Sequence, residues 1–240
     1  MRIGPNLYYK CPSCGNIIKN RSILSGNTFG ATHHSDGRIN ARMLPSMPDL
    51  TKCVKCNAIF WLYDLKEIGE AYRSESVKPE WIEADKAEHL ELYDLWRALQ
   101  SLPEYCGKLF VFEQVVEDDE ADRDEEEGYE DDDEEFMPTE REIYIRRHIW
   151  WKYNDIKSKT PAETELWRLN CIDLLSLLDV ETNDNMRAMA AELNRNLGNF
   201  SECLELIRDL PEKRYARFRE RITEECEKGN TQTVILNEKQ

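Results

Sequence analysis

The sequence predicts an α+β protein, a small N-terminal β zinc ribbon over residues 1–65 followed by a mainly α-helical domain. Two cysteine pairs, Cys11-Pro-Ser-Cys14 and Cys53-Val-Lys-Cys56, share one inner spacing and are separated by 38 residues. From Asp64 onward apolar residues recur every three or four positions, the period of a helix. Thr-x-x-Glu boxes at Thr139 and Thr160 mark helix starts just ahead of apolar runs.

Two residues between thiolates let a tight turn aim both sulfurs at one point. Two such turns facing each other make the tetrahedral four-sulfur cage of a structural zinc ion. Cys11, Cys14, Cys53 and Cys56 are therefore the expected metal ligands, and Gly15 gives the first turn its loose backbone. Iron also suits four thiolates, in a rubredoxin-like site, although zinc is the commoner occupant. Plain thiols or two disulfides are the competing reading. The repeated spacing, and an N-terminus (Met1–Asn6) without the apolar run of a secretion signal, favour metal. Cys171, Cys203 and Cys226 fall on apolar helix faces and read as small core residues, while Cys106 stands alone.

Of 240 residues 40% are hydrophobic, with 6 Trp and 10 Tyr, enough for a core in one or two domains. The net charge of −16 is concentrated, because residues 117–135 hold fifteen Asp or Glu and a single Arg. The remainder is close to neutral. Like charges at that density repel, so residues 117–138 are expected to form a disordered acidic linker, or else a lure for a basic partner. No apolar run approaches the roughly 18 residues a membrane span needs, so no membrane association and a cytoplasmic location are expected.

Taken in order, Leu7–Lys10 reads as a strand, and Ile17-Ile18 and Ile23-Leu24 as strand residues after the first cysteine pair. Asp36-Gly37, between His34 and Arg38, is a hairpin turn. Met43–Leu50 carries two prolines and reads as extended, and Ile59–Leu62 as an apolar strand. With so thin a core, the metal is expected to supply on the order of 10–16 kcal/mol. The long loop between the cysteine pairs is polar at Asn27, Thr28, His33, His34, Ser35 and Asp36. It is either a recognition surface for a ligand or peptide, or a hairpin with an ordinary connector. His33 or His34 could replace a cysteine at the metal, but four thiolates already complete the shell.

Leu65, Ile68, Ala71 and Tyr72 predict a first helix, and Pro79–Ile82 opens a further helical region. Leu92, Leu95, Trp96 and Leu99 predict a helix to about Gln100. Lys108–Val116 suits a strand or a buried helical turn, so 66–116 is a helical region with one candidate strand. Residues 139–229 predict a helical bundle. Its first helix turns Ile145, Ile149 and Ile156 inward and carries a basic face of Arg141, Arg146, Arg147 and Lys152. Packing with solvated arginines, contact with nucleic acid, or attraction to the acidic run would each account for that face. His148 reads as a packed ring. Pro161 at the first position of the next helix, and apolar residues around much of its circumference through Leu178, suggest a central helix that Asn183-Asp184 breaks. Met186–Leu197 ending at Gly198, Asn199–Leu210, and a helix from Pro211 to Cys226 stopped by Gly229 complete the bundle. Asn230–Gln240 reads as a flexible tail.

Ala191-Glu-Leu-Asn-Arg-Asn-Leu-Gly198-Asn-Phe200-Ser-Glu-Cys203 resembles the turn of a tetratricopeptide repeat, with Ala191, Gly198 and Cys203 at the small positions and Phe200 as the turn aromatic. No second copy lies 34 residues away, so the resemblance implies tetratricopeptide-like helix pairing and not an array. Tyr9-Lys10-Cys11-Pro12 and Ser25-Gly26-Asn27-Thr28-Phe29-Gly30 are similar to uncharacterised bacterial proteins that join a zinc ribbon to such helices. That resemblance implies an architecture and no activity.

The leading functional expectation is a non-enzymatic, zinc-binding adaptor for protein–protein interaction, since no phosphate-cradling glycine loop, nucleophile elbow or HExxH helix is present. One alternative is a nucleic-acid-associated protein whose acidic loop masks it, although nucleic acid is a poor partner for this charge. The other is an enzyme of unrecognised type using loop 25–38.

Overall fold

The computed structural model describes residues 1–72, 77–102 and 138–237. The expectations for Cys106, Lys108–Val116 and the acidic run lie outside these residues. Among the described residues the class is α+β, with eight short strands followed by six helices.

Strands β1 (Arg2–Lys10) and β2 (Ile17–Ser25) form an antiparallel ribbon whose last pair, Lys10 opposite Ile17, flanks the first cysteine turn. The ladder is irregular between Ile3 and Asn6, where Pro5 has no N–H to give. A Cβ on neighbouring Gly4 would meet Ser22 Oγ at 2.1 Å. The short hairpin β3 (Thr32–His33) and β4 (Ile39–Asn40) turns at Asp36-Gly37 as expected, with Gly37 at φ +82°. Strands β5 (Leu50–Lys52) and β6 (Ile59–Trp61) pair around the second cysteine turn.

The helix expected over residues 65–72 is instead a strand, β7 (Gly69–Ala71), paired antiparallel with β1. Its apolar steps, Ile68 and Ala71, pack against Tyr8 and Trp81, whose rings stack at 4.5 Å. Trp81 also fills the space a side chain at position 69 would need, 2.3 Å from an added Cβ. Pro79–Trp81 makes one 3-10 turn and the chain then returns as β8 (Asp85–Lys86), parallel to β2. The β module therefore extends to residue 86 rather than 65, as a sheet of order β7-β1-β2-β8.

The helices are α1 (Leu92–Gln100), α2 (Pro138–Asn154), α3 (Pro161–Ser176), α4 (Asp184–Leu197), α5 (Phe200–Arg208) and α6 (Glu212–Glu227). At α3 both halves of the Thr160–Glu163 box form, and Pro161 sits in the first turn. The Thr139 box does not form. The helix begins at Pro138, so Thr139 lies within it, and Glu142 reaches forward to Arg146 Nε at 2.6 Å. Asn183 does not break α3, which ends at Ser176, but caps α4 by accepting from the N–H groups of Asn185 and Met186.

The central helix is α2 and not α3. One side of α2 buries Tyr144, Ile145, Ile149 and Tyr153 against α1 and against Leu50 and Trp61 of the β5–β6 hairpin. The other buries Ile143 and Trp150 against α3 and α4. Its Tyr and Trp side chains look half-polar in sequence, yet their rings fill the core.

The stretch after α6 is not a loose tail. Val234 N–H donates to Ser35 Oγ, Ser35 N–H to the Val234 carbonyl, and Leu236 N–H to the His33 carbonyl, while Ile235 bridges to His34. Val234 and Leu236 also pack against the α4–α6 core. Among the described residues no helix is long and apolar enough to cross a membrane.

Candidate metal centre

Each cysteine turn is built the same way. In the first, Cys11 N–H donates to the Asn16 carbonyl at 2.8 Å and Gly15 N–H returns to the Cys11 carbonyl at 2.9 Å. In the second, Cys53 N–H donates to Ala58 and Asn57 N–H returns to Cys53, both at 2.9 Å. The fifth position of each turn is left-handed, Gly15 at φ +71° and Asn57 at φ +59°. Asparagine is among the few side-chain-bearing residues that accept this conformation. These bonds curl the backbone so that both sulfurs of a turn face the other turn.

The four Sγ atoms lie within 4.8 Å of one another. Cys11 and Cys56 are 3.5 Å apart and Cys14 and Cys53 3.7 Å. A zinc–sulfur bond of about 2.3 Å in tetrahedral geometry requires sulfurs about 3.8 Å apart, so the donor set fits a four-coordinate thiophilic cation with no coordination position to spare. Cys11 and Cys53 are buried among Ile18, Phe60, Leu62 and Ala87. Asn16 Nδ2 donates to Cys53 Sγ at 3.7 Å and to Asp85 Oδ2 at 2.6 Å, tying β8 to the cage from outside. As free thiols the four are unequal. Ala58 N–H favours the Cys56 thiolate and outweighs partial burial, bringing it to about 7. For Cys14 the Asn16 N–H is outweighed by the surrounding thiols, which lift it to about 12. A bound dication would hold all four as thiolates.

The other residues singled out in sequence do not gather at the cage. Asn27 and Thr28 shape an exposed turn, where Asn27 Oδ1 accepts from Phe29 N–H and the Thr28 carbonyl from Ala31 N–H. His34 Nε2 pairs with Asn40 Nδ2, and His33 N–H donates to Asn237 Oδ1. Asp36 is buried and committed to Arg38 at 2.8 Å and to Asn154 Nδ2 at 3.1 Å, so it does not face a ligand from solvent. The basic face is likewise occupied by partners from the protein. Arg141 pairs with Asp64 and lies over Trp61 and Tyr63, Arg146 holds Glu142 and Asp173, and Lys152 meets Glu91. Arg147 rests on Tyr144 and Trp151, where burial lowers its pKa. His148 donates from Nδ1 to the Tyr144 carbonyl, and burial holds its pKa down at about 4, with Arg147 adding to the effect.

A second polar centre is marked in the sequence only by Ser35 of the polar loop; its buried ion pair is not. Glu192 and Arg195, one turn apart on α4, are both fully buried and paired at 2.6 Å. Ser35 Oγ donates to Glu192 at 2.6 Å, and Arg195 donates to the carbonyls of Asn230 and Gln232. In sequence this is an ordinary exposed-looking i,i+3 pair; its burial depends on the hairpin and the C-terminal stretch, which are remote in the chain. No family model, curated protein or solved structure matches the chain.

Proposed function

We propose that the chain is a non-enzymatic adaptor in which a structural zinc ion holds together the β module that it presents to a partner protein. The observation that carries the metal half is the spacing of the four sulfurs, which leaves a zinc ion no position for water or substrate. Iron is the competing occupant. We read α4 and α5 as a tetratricopeptide-like pair, in keeping with the bacterial ribbon-plus-helix proteins the sequence resembles. Buried Ala191 and Cys203, and Gly198 at φ +85°, support that reading. A cytoplasmic location fits the free thiols. Nucleic-acid binding is disfavoured, because Arg141 and Arg146 of α2 are engaged by Asp64, Glu142 and Asp173 and Arg147 is stacked on Tyr144 and Trp151.

Elemental analysis tests the metal: one zinc per chain is expected, and cobalt substitution should give the strong visible bands of a tetrahedral thiolate site. Substoichiometric metal in Cys53→Ser and a full complement in Cys171→Ser are the matching outcomes. A cobalt spectrum of five- or six-coordinate type would overturn the closed-cage reading. Cross-linking in the native cell tests the adaptor half, and recovery of the chain without partners would overturn it.

A further inference from the structure

We propose that the outer edge of β2 and the wall formed by Pro45–Pro48 make a groove that takes an extended, acidic segment of a partner protein as an added strand. The proposal rests on the adaptor reading and names the surface and the chemistry it would recognise.

The groove arises because β8 leaves β2 early. Ala87 N–H donates to the Lys19 carbonyl at 2.8 Å, the last bond between them. One residue on, the buried Thr51 hydroxyl captures Glu88, donating to its carbonyl at 2.9 Å and accepting from its N–H at 3.1 Å. That double hold pulls the chain off the sheet. Lys19 thus turns its carbonyl outward, and so by the two-residue period of a strand does Arg21. Register agrees: Arg21 stands opposite Asn6, whose backbone faces β7 on the far side. Among the described residues the N–H and C=O of Arg21 meet no strand partner.

The opening is bounded. Asn20, Arg21 and Ala87–His89 line one side of a cavity of about 390 Å³, and Pro45–Pro48 the other. His89 Nε2 reaches the Ser46 carbonyl at 3.2 Å across it. Beyond Ser25 the backbone at Met43 comes so near Gly26 that a Cβ there would sit 2.1 Å from its carbonyl oxygen. The opening itself is lined by β2 at Asn20 and Arg21; from there to Ser25 no other described strand lies on the outer side of β2, about 17 Å of chain whose register with β1 shifts between Ile23 and Ser25, enough for a segment of about five residues. An unpaired edge of this kind is the template for strand addition by a peptide, main-chain bonds giving affinity and side-chain sites selectivity.

Charge sets the selectivity. Arg21 and Lys86 lie on the rim and, among the described residues, neither joins an ion pair. Glu88 is the one acid on the lining. Acidic side chains at alternate positions of an incoming strand meet this rim, with apolar ones set against the prolines.

The probe is the pentapeptide Glu-Val-Asp-Val-Glu, titrated into the full zinc-loaded chain and followed by amide NMR and fluorescence anisotropy. The expected result is shifts centred on Arg21–Ser25 and Ala87–His89, weakening with salt, and no binding of Lys-Val-Lys-Val-Lys. Arg21→Glu and Lys86→Glu, both exposed and outside the cage, should each weaken binding about two- to fivefold. A copy N-methylated at alternate amides should bind at least about tenfold more weakly. Shifts centred elsewhere, equal binding of the N-methylated copy, or no binding would overturn the proposal. Binding that appears only after removal of residues 117–135 would also overturn it, assigning the groove to the chain's own acidic run. If cross-linked partners survive in the Arg21→Glu/Lys86→Glu chain, the groove falls and the adaptor stands. If the wild-type chain has no partners, the adaptor reading falls whatever the peptide does.

Discussion

Asn57 holds the backbone conformation that the first cysteine turn gives to Gly15. An L-residue with an ordinary side chain costs about 1–2 kcal/mol there, and asparagine less. Asn57→Ala should therefore lower the stability of the zinc-loaded protein by about 1 kcal/mol, while Asn57→Gly leaves it nearly unchanged, as thermal melts of the two will read. His148 yields a pH prediction. Its ring protonates near 6.5 when the chain is unfolded but only at about 4 when folded, because burial opposes the charge. Between those values the unfolded chain binds more protons, so acid favours unfolding. The stability present above pH 6.5 should decline as pH falls toward 4, by up to roughly 3 kcal/mol. In His148→Phe that slope should flatten, measured by denaturant titration across the range.

At the scale of elements, the pairing of β3 with residues 234–236 joins the β module to α4 through Ser35, Glu192 and Arg195. Removing one member of a buried ion pair leaves the other uncompensated, so Glu192→Leu should cost about 3–5 kcal/mol. The double change Glu192→Leu/Arg195→Met should recover part of that loss. Truncation after Gly229 strips Arg195 of two carbonyl acceptors and Ser35 of its backbone partner. It should cost about 3 kcal/mol or more, with faster amide exchange at Ser35 and at α4. Sequence period located most of the helices and the Thr160 cap, because those signals are local. It misread residues 65–72, where the three-and-four spacing of Ile68 and Ala71 serves a strand whose inward residues are dictated by Trp81. It also missed the returning C-terminal stretch, whose partners lie about 200 residues upstream and leave no local mark.

For the whole molecule, the cysteine cage and the helices are not independent. Leu50 and Trp61 flank the second cysteine turn and are part of the core of α1 and α2. Chelation should therefore first remove protection from β1, β2, β5 and β6 and then loosen α1 and α2, while α4–α6, with their own core, hold longest. Hydrogen exchange after treatment with a high-affinity zinc chelator reads this order, and simultaneous loss of all helices would contradict it. The cage was legible in the cysteine spacing, since the chemistry of four thiolates is short-range. Its outer support was not, because Asp85 joins Asn16 only through the fold of β8.

The bonds between Ala31–Ser35 and residues 234–237 have a consequence during synthesis. The hairpin leaves the ribosome about 200 residues before its stitching segment exists, an interval of roughly 10–40 s at common elongation rates. Throughout that wait the nascent N-terminal module relies on its own sheet, its two small apolar clusters and whatever ion its four cysteines hold, so depriving cells of that metal during translation should lower the yield of chain that is sewn closed.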